Sequence, residues 1–92
     1  METVYIGDTP TIKLRTGETL TGANLLIKYE KPDGTTGHWD SEVDPIDPTT
    51  MQYKVDPMTG PAGVWILQSY MELGGVVKHG EWIEILVLNP VY

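Results

Sequence analysis

Ten glycines and seven prolines cut the 92 residues into short segments, and this punctuation limits the fold more than any other feature. A proline inside a helix removes a hydrogen bond and clashes with the preceding turn, and a glycine there costs roughly 1 kcal/mol. The segments between them are rich in Val, Ile, Thr, Tyr and Trp, residues that suit a pleated surface. Thr11 to Arg15 alternates, with Ile12 and Leu14 on one face and Lys13 and Arg15 on the other. Asn24 to Glu30 repeats the pattern, setting Leu25, Ile27 and Tyr29 opposite Leu26, Lys28 and Glu30. Both predict half-buried strands.

Lys31-Pro32-Asp33-Gly34 presets a type I turn, since proline fixes φ at the second position and glycine is favoured at the fourth. Thr35 to Asp40 is then expected to return as a strand. Thr3 to Ile6 reads as a strand at the start of the chain and Met51 to Val55 as a further one. Ser41 to Thr49 carries Asp44-Pro45 and Asp47-Pro48 and reads as a loop, as does Asp56 to Gly63. Two longer runs, Val64 to Glu72 and Glu81 to Leu88, are expected to pair as a hairpin through Leu73-Gly74-Gly75 and Lys78-His79-Gly80. Apolar residues at 66, 67, 70, 71 and 73 also fit one side of a helix. The missing N-cap residue and the Trp, Ile, Val and Tyr content favour the strand. About seven short strands, with turn signals roughly every 8 to 12 residues, predict an all-β two-sheet sandwich.

A chain of 10.2 kDa has a folded surface of roughly 5,300 Å² against roughly 15,000 Å² unfolded, which is enough burial for one small core. Residues 1–92 are therefore read as a single domain, with no room for a cofactor domain or a barrel enzyme. Thirteen acidic and six basic residues give a net charge of −7. The six cations, Lys13, Arg15, Lys28, Lys31, Lys54 and Lys78, are scattered. Such a field repels phosphate and anionic headgroups, so no nucleic-acid or membrane partner is expected. The most apolar run, Trp82 to Leu88, is interrupted by Glu84 and falls far short of the ~18 residues that span a bilayer. Cysteine is absent, which excludes disulfides and thiolate chemistry. With no cationic segment leading into an apolar one at the start, the chain is expected to lack a signal peptide, to be made in the cytoplasm and to be complete as written.

Candidate chemistry is sparse. His38 lies in an expected strand and His79 in an expected turn, neither within a catalytic signature, and both read as surface histidines. Two histidines 41 residues apart make no zinc motif. Asp40, Glu42, Asp44 and Asp47 supply hard oxygen ligands of the kind calcium takes, but the Asp-Pro pairs explain two of them as turn formers and the glycine and final glutamate of an EF-hand are missing. Gly34-Thr35-Thr36-Gly37 lacks the lysine and helix of a phosphate loop, and Glu81 and Glu84 fall on opposite strand faces. No catalytic residue, metal or cofactor is expected.

Three tryptophans and five tyrosines remain. Trp65, in phase with Leu67, is the expected core tryptophan. In the last strand Ile83, Ile85 and Val87 supply one apolar face, yet Trp82, Leu86 and Leu88 give the opposite face more apolar surface than a one-sided sheet needs. Trp82, Leu86 and Leu88 are therefore candidate assembly contacts, and Trp39 and Tyr70 are candidate platforms for stacking on sugar rings.

Ile6-Gly7-Asp8-Thr9, Leu20-Thr21-Gly22-Ala23, Lys31-Pro32-Asp33-Gly34 and Gly63-Val64-Trp65-Ile66-Leu67-Gln68, in that order over nearly the whole chain, resemble the small immunoglobulin-like domains of tailed-phage virions, the N-terminal domain of the baseplate upper protein family in particular. The resemblance implies an immunoglobulin-like sandwich and a noncatalytic structural role in the particle. Related domains occur in baseplates, tail fibres, necks and capsid decorations. Ending at Tyr92, without a receptor-binding or trimerising extension, favours an accessory, adaptor or decoration subunit. Other phage structural proteins and further copies of the chain are the expected partners, met through strand edges, loops and the Trp82 face. A carbohydrate- or cell-surface-binding module is the alternative.

Overall fold

The computed structural model describes residues 1–91. Eight strands make up its regular structure: β1 (Glu2–Tyr5), β2 (Thr11–Arg15), β3 (Asn24–Glu30), β4 (Thr36–Asp40), β5 (Glu42–Val43), β6 (Thr50–Lys54), β7 (Gly63–Leu73) and β8 (Val76–Leu88). They form two sheets, one of five strands in the order β1-β8-β7-β3-β4 and one of three in the order β2-β6-β5. Every pair is antiparallel except β1 with β8. The expected sandwich is present. Val64 to Leu73 is strand and not helix, and β1 with β8 forms one parallel pair in an otherwise antiparallel sandwich.

Local chemistry accounts for the turns. In Lys31-Pro32-Asp33-Gly34 the Gly34 N–H donates to the Lys31 carbonyl at 2.9 Å, and Asp33 Oδ1 accepts the Thr35 N–H at 2.9 Å. Gly34 follows at φ +86, the left-handed residue that closes a three-residue hairpin loop. The β7–β8 turn is tighter than expected. Gly74 (φ +60) and Gly75 (φ +81) alone make it, the conformation that two-residue hairpins need. Lys78-His79-Gly80 consequently belongs to β8 and not to the turn. A bulge sits where Gln68 pairs with Trp82 and Tyr70 with His79, leaving two β8 residues opposite Ser69. The Ser41 to Thr49 loop contains β5, two residues paired with β6.

Alternation sorts the side chains. Leu25 and Ile27 of β3, Trp65 and Leu67 of β7, and Ile85 and Val87 of β8 all point into the core, where they meet Ile12, Leu14 and Met51 of the smaller sheet. Trp65 is the core tryptophan as expected, 1% exposed, with its indole N–H donating to the Pro61 carbonyl at 2.9 Å. Leu20 and Met58 fill the core from the loops.

Candidate functional site

The three-stranded sheet covers the inner face of the larger sheet, so the residues of opposite phase lie on the outer face. Strand pairing arranges them in rows. His38, Lys28, Gln68 and Trp82 stand opposite one another across β4, β3, β7 and β8, a span of about 14 Å at ~4.8 Å between strands. Thr36, Glu30, Ile66 and Glu84 form the next row. Beyond it, Val64 faces Leu86, which faces Thr3, and Leu88 faces Tyr5.

The first two rows bound a shallow trough of about 580 Å³, lined by Lys28, Glu30, Thr36, His38, Ile66, Gln68 and Trp82 with the backbone side of Tyr29 and Gly37. Its volume lies in the range of ligand pockets. Trp82 is 58% exposed. Gln68 is fixed by its Nε2, which donates to the Gly80 carbonyl at 2.9 Å. The Lys28 ammonium lies 4.7 Å from the centre of the Tyr70 ring and donates to His79 Nε2 at 3.1 Å. Tyr70 and His79 meet edge to face at 5.3 Å.

Trp82, Leu86 and Leu88 share the outer face, as the phase of β8 predicts, with Leu86 and Leu88 half-buried among their neighbours. The structure places both stacking candidates in packed surroundings. Trp39 lies on the inner side of β4, its ring stacked on Tyr53 at 5.5 Å and 9° and packed at 4.9 Å against Tyr29 and 6.3 Å against Trp65. It belongs to the aromatic edge of the core. Tyr70 is on the outer face but carries Lys28 over its ring and His79 at its edge. Trp82 is the more exposed indole, and it borders a polar trough that the sequence did not reveal. The signal available was the shared phase of Lys28, His38 and Gln68 with Trp82, which becomes visible only once the register is known.

The acidic segment is spent on local structure. Asp44 Oδ1 accepts the Ile46 N–H at 2.9 Å and its Oδ2 takes the Lys13 ammonium at 2.9 Å. The Ile46 N–H, followed by Lys13, holds its carboxyl below the usual range. Asp47 accepts the Thr49 hydroxyl and N–H and the Thr50 hydroxyl, and these bonds, the Thr49 hydroxyl first, lower its carboxyl likewise. Asp33 is lowered by its bonds to Thr35. Glu42 is drawn to Gln52, and Asp40 is exposed on β4. Among the described residues no three metal-ligating side chains converge.

No protein-family model matches the chain, and no curated protein matches its sequence. Solved structures do match. One is CopC from Methylosinus trichosporium OB3b, at a TM-score of 0.64 and 16% identity over 100% of this chain and 91% of that one. The likeness is one of fold. Another is a protein from Bacteroides vulgatus ATCC 8482 provisionally classed as a glycoside hydrolase, at a TM-score of 0.64 and 14% identity over 98% of this chain. This chain spans only 17% of that larger one. At such identities both neighbours support the two-sheet sandwich and carry no residue roles across.

Proposed function

We propose that the chain is a structural subunit of a tailed-phage or prophage virion, an accessory, adaptor or decoration protein that joins its neighbours, copies of itself included, by noncovalent contact. It is made in the host cytoplasm, built into the particle and catalyses no reaction. The observation that carries this reading is the apolar band on the outer face of the larger sheet, where Leu86 and Leu88 are joined by Val64 and Tyr5 and Trp82 stands one row beyond Glu84. Trp82, Val64 and Tyr5 in it remain exposed. A molecule of 45 × 27 × 19 Å has a broad face able to supply the about 800 Å² per partner of a standard interface. Of these residues Trp82, at 58% exposed, has the most apolar area left to bury, and apolar burial contributes roughly 25 cal/mol per Å². The landmarks shared with small virion domains supply the setting, and the net charge of −7 keeps free subunits apart until salt screens it.

Sedimentation velocity over a range of concentrations tests the contact. The wild-type chain is expected to associate and the Trp82→Ser/Leu86→Ser variant to stay monomeric with an unchanged circular dichroism spectrum. Equal assembly by both, or a wild-type chain that is monomeric throughout, rejects the proposal.

A further inference from the structure

The apolar band leaves the trough beside it unexplained, and the trough has a different chemistry. Its lining includes Trp82 together with Gln68, Lys28, Glu30 and His38, residues that carry an indole, an amide, an ammonium, a carboxylate and an imidazole. We propose that this trough is a binding site for a neutral saccharide, with a pyranose ring stacked on Trp82 and its hydroxyls hydrogen-bonded along the row toward His38.

The lining selects the ligand class. A phosphate or sulfate ester would meet a single ammonium, that of Lys28, already held by His79 at 3.1 Å and lying over Tyr70, with the Glu30 carboxylate at the rim and a net charge of −7 around it. Anions are therefore disfavoured. A wholly apolar ligand would desolvate Gln68, Lys28 and Glu30 without repaying their hydrogen bonds, which disfavours it. A sugar combines an apolar C–H face with a rim of hydroxyls that both donate and accept, so it meets each of these groups on its own terms.

The site is also held in shape before anything binds. Its residues project from strands and not from loops, which is the better scaffold for fixed geometry. Because the Gln68 Nε2 donates to the Gly80 carbonyl, its Oε1 is left to accept from a hydroxyl. The β7–β8 bulge falls immediately beside the Gln68–Trp82 pair, and bulges re-aim neighbouring side chains. Gly80 is needed there, since a Cβ at that position would run into the Ser69 hydroxyl.

Isothermal titration calorimetry with three neutral trisaccharides, of glucose, mannose and N-acetylglucosamine, tests the site without relying on tryptophan emission. Saturable binding of at least one, with a dissociation constant of about 1 mM or tighter, is expected. Trp82→Ala should weaken it about tenfold, as loss of a stacking contact, and Gln68→Ala about fivefold, as loss of one hydrogen bond. Both side chains are on the outer face, and circular dichroism spectra matching the wild type will show that the fold is intact. No saturable heat with any of the three sugars, or binding that survives Trp82→Ala, overturns the proposal.

Discussion

Replacing Trp65 by Phe should destabilise the fold far more than the loss of one ring suggests. Trp65 is 1% exposed, and its indole N–H is the donor to the Pro61 carbonyl at 2.9 Å. Phenylalanine leaves that part-buried carbonyl of the Asp56 to Gly63 loop without its donor, at a cost of about 1 kcal/mol. The smaller ring also opens a gap against Tyr29, now at 5.4 Å, and Trp39, at 6.3 Å. Together these give about 2–3 kcal/mol for Trp65→Phe, and about 3–5 kcal/mol for Trp65→Ala, where the cavity is larger. A domain of this length has a total stability of about 5–14 kcal/mol, so the alanine variant should approach global unfolding. Urea unfolding followed by far-ultraviolet circular dichroism reads the effect without depending on the deleted fluorophore. At about 1–1.5 kcal/mol per molar urea, the phenylalanine midpoint should fall by about 2 M with the slope unchanged. A loss below about 0.5 kcal/mol would refute the reasoning, because it would mean that neither the indole hydrogen bond nor the aromatic packing holds the layers together.

Gly63→Ala should cost about 1–3 kcal/mol, because Gly63 sits at φ +134 and a Cβ there would lie 2.8 Å from the Pro32 ring. Gly17→Ala, at φ +79 with nothing near, should cost less, and equal melting temperatures for the two variants would contradict the docking of the β3–β4 turn on β7. On acidification, Asp33, Asp44 and Asp47 have folded-state carboxyls held below their ordinary value of 3.8. Their contribution is therefore fully present above that pH and is lost as pH falls through the lowered values. Denaturation midpoints measured from pH 7 to pH 2 should drop on the acid side, and Asp47→Asn should make that drop shallower. An acid limb of the same depth in the variant would remove Asp47 from the account.

Wherever neighbours in sequence decide the structure, the sequence was a sufficient guide. β2, β3 and the β3–β4 turn follow from alternation and from Lys31-Pro32-Asp33-Gly34, and Trp65 follows from its phase with Leu67. What could not be read depends on pairing across long separations. The parallel approach of β1 to β8 joins residues some 83 positions apart, as in Glu2 with Ile85, and no local signal encodes it. The bulge opposite Ser69 shifts the phase of β8, so a strict alternation carried back from Leu88 misplaces Lys78 and His79. Trp39 is a different case. Its neighbours Thr36, His38 and Asp40 are polar and of opposite phase, so the strand pattern already pointed its ring inward, and aromatic character alone was too weak a reason to set it outside. The trough needed four strands in register before His38, Lys28, Gln68 and Trp82 became one row.

That register also decides between the face and the edges as the place where a partner binds. An added strand needs a run of unpaired backbone, and the sheet edges offer little of it. β5 has two residues, β1 four, and β2 and β4 five each. The longest unpaired stretch is the part of β8 before Ile85, where β1 has not yet begun. It carries Lys78, Glu81 and Glu84 and is bent by the bulge at Gly80, and charges and bulges are the devices that discourage edge pairing. Lys78 is further tied back to Glu18 at 3.0 Å. The outer face carries Glu30 and Glu84 in the row between Trp82 and Leu86, yet Trp82, Val64 and Tyr5 all remain exposed there and open to a partner. A partner thus gains more by covering the face than by extending the sheet, and the band and the trough meet at Trp82. The same indole is then required for both contacts, so a saccharide in the trough and a protein on the band should compete for it.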